Sequence, residues 1–195
     1  MGKIICLMGK SSTGKDTIFR ELLRRGVPEL TVMVPYTTRP RRIGEVEGQE
    51  YFFVEEEDFQ KMKKEGRVVE DRAYHTCHGL WRYFTVDDGK IDWKHKNYLL
   101  IGTLESYVKC REYFGEDVLL PILIELDDGE RLARALARER SQKAPKYEEM
   151  CRRFLADSQD FSEEKIREAG ISKRFQNEDL EQCIRQIQDY IQEQI

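Results

Sequence analysis

Residues 3–17 read Lys-Ile-Ile-Cys-Leu-Met-Gly-Lys-Ser-Ser-Thr-Gly-Lys-Asp-Thr, and this stretch constrains the chain most tightly. Ile4 to Met8 is an apolar run of the length that suits a buried parallel strand. Gly9, Lys10, Ser11, Ser12, Thr13, Gly14 and Lys15 follow it with the G-x-x-x-x-G-K spacing of a phosphate-binding loop. Glycines let such a backbone curl until successive N–H groups point inward at phosphate oxygens. A helix expected over 15–25, apolar at Ile18, Phe19, Leu22 and Leu23, adds the positive end of its dipole. Lys15 supplies a point charge to the outer phosphates. The plain alternative is a Gly/Ser turn, and the strand before and helix after argue against it. The Ser or Thr that usually follows the loop lysine and holds Mg²⁺ is replaced by Asp16, with Thr17 one place later. A carboxylate is a good hard ligand for Mg²⁺, so metal binding through Asp16 is expected.

Composition narrows the class. With 195 residues, 39% of them hydrophobic, the chain suffices for one domain carrying small inserted parts. It lacks an apolar run of about 18 residues, so no membrane span is expected. The N-terminus enters a strand without a signal-peptide pattern. Cys6, Cys77, Cys110, Cys151 and Cys183 are scattered without C-x-x-C spacing, which indicates neither a zinc site nor a disulfide framework. A reducing cytoplasm is the expected location. A net charge of −4 argues against a nucleic-acid-binding surface.

Further along, a strand is expected over 30–34. Residues 35–45 then place Arg39, Arg41 and Arg42 beside Thr37 and Thr38 in a turn-rich segment. Guanidinium forks suit bidentate capture of phosphate or carboxylate, a solvated basic loop being the alternative. A strand over 51–54, a helix over 55–64 with Phe59 and Met62 inward, and a brief strand over 68–70 follow. Residues 71–88 read as a long loop gathering Tyr74, His75, His78, Trp81 and Phe84. Its histidines lack a Cys/Asp partner in a known metal pattern and read as ordinary loop residues. Residues 87–90 carry a hairpin-type turn signal. Strands are expected over 98–102, 118–126 (with Pro121 an awkward member) and 171–175, and helices over 105–114, 128–140, 147–158 and 180–195. The polar stretch 141–146 reads as a mobile tip. The expected fold is a three-layer α/β domain of P-loop NTPase type, a mostly parallel sheet with helices on both faces.

The stretch Tyr36-Thr37-Thr38-Arg39-Pro40-Arg41-Arg42-x-Gly44-Glu45-Val46-x-Gly48-x-x-Tyr51-x-Phe53-Val54 closely resembles the nucleotide-monophosphate segment of guanylate kinases, at the distance from the phosphate loop that this family uses. The resemblance covers most of the chain and is weakest in the middle. It implies a core over 1–34, 91–127 and 163–195, an acceptor-binding part over 35–90 and a helical lid over 128–162. It implies that Arg39, Arg42 and Tyr51 grip the acceptor phosphate, that Glu70 accepts hydrogen bonds from a guanine edge, that Tyr83 touches the phosphate and that Thr85 touches the guanine. Lys15, Arg134, Arg138 and Arg153 would be catalytic, neutralising charge on the transferred group. Gly9, Ser11, Ser12, Thr13, Gly14, Lys15, Asp16, Thr17 and Asn177 would hold ATP, although an Asn before a helix is also an N-cap. The implied chemistry is phosphoryl transfer from ATP with Mg²⁺ to a nucleoside monophosphate, GMP first, by a monomer or homodimer without nucleic-acid or membrane partners.

The chain also departs from the family pattern. Pro35-Tyr36 replaces a serine, Phe84 replaces a glycine, and the segment after Glu70 and the lid tip are longer. The usual carboxylates after the strand at 98–102 are missing, leaving Glu105 as the nearby acid. A sister kinase with another phosphorylated acceptor, or a guanylate-kinase-like binding domain, therefore stays open. A stand-alone nucleotide switch has no use for the acceptor segment.

Overall fold

Strand β1 (Ile4–Met8) is buried throughout, and its alternating residues face two different cores. Ile4, Cys6 and Met8 pack with Leu104, Tyr107 and Cys110 of helix α3 (Leu104–Phe114). Ile5 and Leu7 pack with Ile18 and Leu22 of α1 (Lys15–Arg24) and with Ile184, Ile187 and Ile191 of α7 (Leu180–Gln194). That double cover is why the strand is apolar without alternation. The structure is a computed structural model, described over residues 2–26, 30–42, 44–76, 79–89 and 91–195.

The central sheet has the order β2-β7-β1-β8-β9, formed by Leu30–Val32 (β2), Asn97–Ile101 (β7), β1, Leu119–Glu125 (β8) and Arg174–Gln176 (β9). All of its pairings are parallel. Pro121 lies opposite Cys6, while β9 joins β8 only from Leu123 onward. One side of β8 is therefore unpaired at the proline, where a missing N–H is tolerated. The phosphate loop leaves the end of β1, and helices α4 (Asp128–Arg140) and α5 (Tyr147–Asp160), over which a lid was expected, follow β8, so both arise at the carboxyl ends of adjacent parallel strands.

A second sheet, ordered β4-β3-β6-β5, comprises Tyr36–Thr37 (β3), Phe52–Phe53 (β4), Val68–Thr76 (β5) and Gly79–Val86 (β6). Phe59 of α2 (Glu56–Lys64) packs against Phe84 and Val86 to give it a separate small core. Tyr36 lies directly opposite Phe84, with ring centroids 5.6 Å apart, and Phe84 meets Phe59 edge-on at 4.8 Å. The two departures at 36 and 84 thus pack against one another as cross-strand aromatics.

Residues 71–88 are not a loop. β5 and β6 form an antiparallel hairpin, in register from Glu70↔Thr85 to Thr76↔Gly79. Its outer part is exposed on both faces at Ala73–His75 and at Gly79 and Leu80, so no apolar period announced it. Cys77 and His78 lie outside the described residues, as does Lys90 of the expected turn. That turn joins different sheets instead of making a hairpin. The last strand begins at Arg174, after an unanticipated short helix α6 (Glu163–Glu168) capped by the Ser162 hydroxyl.

Cys6, Cys110 and Cys183 are buried free thiols, and Cys151 is exposed. Burial pushes Cys110 up to about 12 and Cys183 to about 11, and it raises Cys6 as well. Because the unfolded thiols ionise near pH 8.5, these groups stabilise the fold fully below that pH and progressively less above it. We expect denaturant stability to fall from about pH 8.5 toward pH 11, with the loss reduced in a Cys110→Ala, Cys183→Ala variant. Alkylation at pH 8 should modify Cys151 and spare Cys6, Cys110 and Cys183 until unfolding, as read by peptide mass mapping.

Candidate active site

The phosphate loop is shaped by close approach as well as by dihedral angles. Gly9 has φ +155°, and a Cβ there would sit 2.5 Å from the Ile124 carbonyl oxygen. Gly14 has φ +91°, and its Cβ would sit 2.3 Å from Nδ2 of Asn177. Asn177 donates from that Nδ2 to the Thr13 carbonyl at 2.7 Å, and Thr13 Oγ1 donates to the Lys10 carbonyl at 2.9 Å. Asn177 is therefore a buried strut under the loop, while the cap of α7 is Asp179. Its Oδ1 is buried without a partner.

Helices α4 and α5 grip the other side of the loop. Ser11 donates its N–H to Asp157 Oδ2 of α5 at 2.7 Å, and its carbonyl accepts from Arg131 Nε of α4 at 3.0 Å. Arg131 is 1% exposed, pairs with Asp157 at 2.9 Å, and also binds Asp128. Its guanidinium lies 4.8 Å from the Phe154 ring. Lys15 opens α1 half-buried, without a hydrogen-bond or ion-pair partner among the described residues. Asp16 is exposed in the first turn, equally unpartnered, and Thr17 follows half-buried.

On the acceptor side, Arg39 is 3% exposed and forks onto Glu45 at 2.6 and 2.8 Å. Its guanidinium lies 5.3 Å from the Tyr51 ring and 5.5 Å from the Phe53 ring. Tyr51 and Tyr83 meet edge-on at 5.6 Å. The Glu45 bond holds the Arg39 guanidinium even more firmly charged than usual and lowers the Glu45 carboxyl in turn. Nε of Arg39 remains buried without a partner, a donor left over for a ligand. Arg42 is exposed, with no side-chain partner among the described residues. Glu70 and Thr85 are buried and bonded to each other at 2.9 Å.

Arg39, Arg42, Tyr51 and Tyr83 share one cleft of about 1470 Å³ with Arg138 and Arg153 of the lid. Arg153 is held by Glu149, whose carboxyl the Arg152 and Arg153 bonds lower to about 2. Arg134 is not on that wall: its Nη2 reaches the Asn177 carbonyl at 3.4 Å, on the donor-loop side. The three arginines expected in the lid thus divide, Arg134 toward Asn177 under the phosphate loop and Arg138 with Arg153 into the cleft of Arg39 and Arg42.

Over residues 1–79 the chain matches the family model described as guanylate kinase. Among curated guanylate kinases, that of Thermotoga maritima is 31% identical over 124 residues, covering 64% of this chain and 49% of that one. That of Nostoc sp. is 44% identical over 73 residues, covering 37% and 36%. Over its first 79 residues the chain is similar to guanylate kinases. The crystal structure of guanylate kinase from Anaplasma phagocytophilum has the same fold, with a TM-score of 0.70 over 100% of this chain and 87% of that one at 22% identity. The aligned sequence spans between about a third and a half of the curated relatives' own lengths. The guanylate kinase match in sequence includes the phosphate loop, Arg39, Arg42, Tyr51 and Glu70. Tyr83, Thr85, the lid arginines and Asn177 lie beyond the family-model match.

The sequence reading assigned no role to Arg72, Arg131 or Asp157, because no local spacing marks them. For Mg²⁺, no cluster of three or more His, Cys, Asp or Glu side chains exists among the described residues. That fits an ion which keeps its waters and phosphate oxygens and takes one or two carboxylates. Among the described residues Asp16, beside Lys15, has no partner, whereas Glu105 is already paired with Lys109 at 2.8 Å.

Proposed function

We propose that this chain transfers the terminal phosphoryl group of ATP to GMP, giving ADP and GDP. What carries the reading is the cleft wall of Arg39, Arg42, Tyr51 and Tyr83, an anion-holding surface with a buried spare donor, in a chain that also carries a strut-supported phosphate loop. An oxygen of the acceptor phosphate attacks the terminal phosphorus while the bond to the ADP oxygen breaks. That oxygen is already anionic near neutral pH, so no general base is required.

The protein's part is placement and charge compensation. Gly9 to Lys15 present backbone N–H groups and one ammonium to the donor phosphates. Arg39, Arg42, Tyr51 and Tyr83 hold the acceptor phosphate. Arg134 faces the donor, and Arg138 and Arg153 bring positive charge to the transferred group from the lid. Closure of α4 and α5 excludes water and so prevents hydrolysis of ATP. Mg²⁺ arriving with ATP would neutralise phosphate charge, held on the protein side by Asp16 and the Thr17 hydroxyl.

A coupled assay with ATP against GMP, AMP, CMP and UMP tests the reading. Saturable ADP formation with GMP supports it, and GMP binding without turnover would replace it by a binding domain. Asp16→Ser is expected to raise the Mg²⁺ concentration giving half-maximal rate several-fold. An unchanged Mg²⁺ titration would remove Asp16 from the metal site.

A further inference from the structure

Glu70 does not meet the cleft alone. Its side chain is 0% exposed, and both oxygens are taken. Thr85 Oγ1 donates to Oε1 at 2.9 Å, Arg72 Nη2 donates to Oε1 at 3.4 Å, and Arg72 Nε donates to Oε2 at 3.1 Å. Arg72 stands two residues further along β5, so it shares a strand face with Glu70. It keeps 16% exposure and lines the cleft beside Tyr74 and Tyr83, where Glu70 does not. Burial is the strongest influence and works against its charge, but the charge and hydrogen bond of Glu70, with Tyr74 and Tyr51 beside it, together keep the guanidinium charged. The polar surface offered there is therefore a donor fork backed by a carboxylate.

That surface suits a particular base edge. A 6-keto purine places a carbonyl acceptor beside its N1–H donor. A carboxylate accepts from N1–H and repels the carbonyl, whereas a guanidinium donates to the carbonyl. Adenine presents an amino group at that carbonyl's position, a donor facing donors. We propose that Arg72 is a specificity-determining residue of the acceptor site, its guanidinium taking the 6-carbonyl of the purine while Glu70 orients the fork from behind. This rests on the phosphoryl-transfer reading above.

The test compares wild type with Arg72→Met and Arg72→Lys in kcat/KM for GMP, IMP and AMP, alongside calorimetric GMP binding and a thermal melt. Arg72→Met is expected to lower kcat/KM for GMP and IMP by about 10- to 100-fold, the range for losing a hydrogen bond from a charged donor, with AMP unchanged. Arg72→Lys, which keeps charge without the fork, should fall between. If GMP, IMP and AMP decline together, Arg72 only supports Glu70 and the proposal is overturned. A rise in GMP turnover overturns it too, since Arg72 would then be a plug. Wild type that neither binds nor phosphorylates a purine monophosphate overturns the functional reading itself, whereas an unaltered GMP preference in Arg72→Met overturns only this inference. Should Arg72→Met fail to fold, Arg72→Gln, which retains one donor toward Glu70, carries the same comparison.

Discussion

Lys15→Met is expected to lower kcat by about 10²- to 10³-fold, the usual loss when a group that stabilises developing charge is removed. The reason lies in the surroundings of the side chain. Lys15 has no internal partner among the described residues, so its charge is committed to nothing within the fold. The loop's other lysine, Lys10, is already drawn to Asp128 at 3.5 Å and is a poor substitute. GMP affinity should hardly change, because the acceptor wall belongs to the other sheet. The coupled assay gives the rate, calorimetry the GMP affinity, and a melt the stability. A large fall in GMP affinity or in melting temperature would make Lys15 a structural residue.

Arg131→Ala should give the largest stability loss, about 3 kcal/mol, at the low end for breaking a buried charge pair. For a domain of this size that is a fall in Tm of roughly 6–12 °C. Arg131 is 1% exposed and binds Asp128, Asp157 and the Ser11 carbonyl at once, so alanine strands all three and opens a hole beside Phe154. Asp157→Asn should be milder: its side chain is 17% exposed, and an amide oxygen can still accept from the Ser11 N–H. Calorimetric melts of the single variants and of an Arg131→Ala, Asp157→Asn double variant check this. Strict additivity of their effects would deny that the groups act as one unit.

What was legible in the sequence follows from what a local pattern can encode. The loop glycines, the apolar β1 and the Ile184, Ile187, Ile191 stripe of α7 each signal through neighbours a few positions away. Arg39 and Tyr51 were legible because a fixed spacing accompanies them. The β5–β6 hairpin was not, since its outer residues face solvent on both sides and need no alternation. Helix α6 has a single buried anchor, Ile166, too little for a period. The Arg131–Asp157 pair joins two helices, and helical spacing alone cannot say that Arg131 turns inward while Arg134 and Arg138 stay exposed. Arg72 escaped for a related reason: its meaning depends on Glu70 being sealed from solvent, which burial reveals and composition does not.

The second sheet's separate core has a mechanical consequence. It meets the main body near the root of β5, where Val69 packs on the main core and Lys109 Nζ donates to the Asp71 carbonyl at 3.3 Å. From Val69 to Thr76, β5 projects as an arm of about 23 Å at ~3.3 Å per residue. A pivot of roughly 10° at that root would carry the far end about 4 Å, taking this arm length. Leverage of that kind turns a slight rearrangement beside α3 into a sweep comparable to the width of a purine ring.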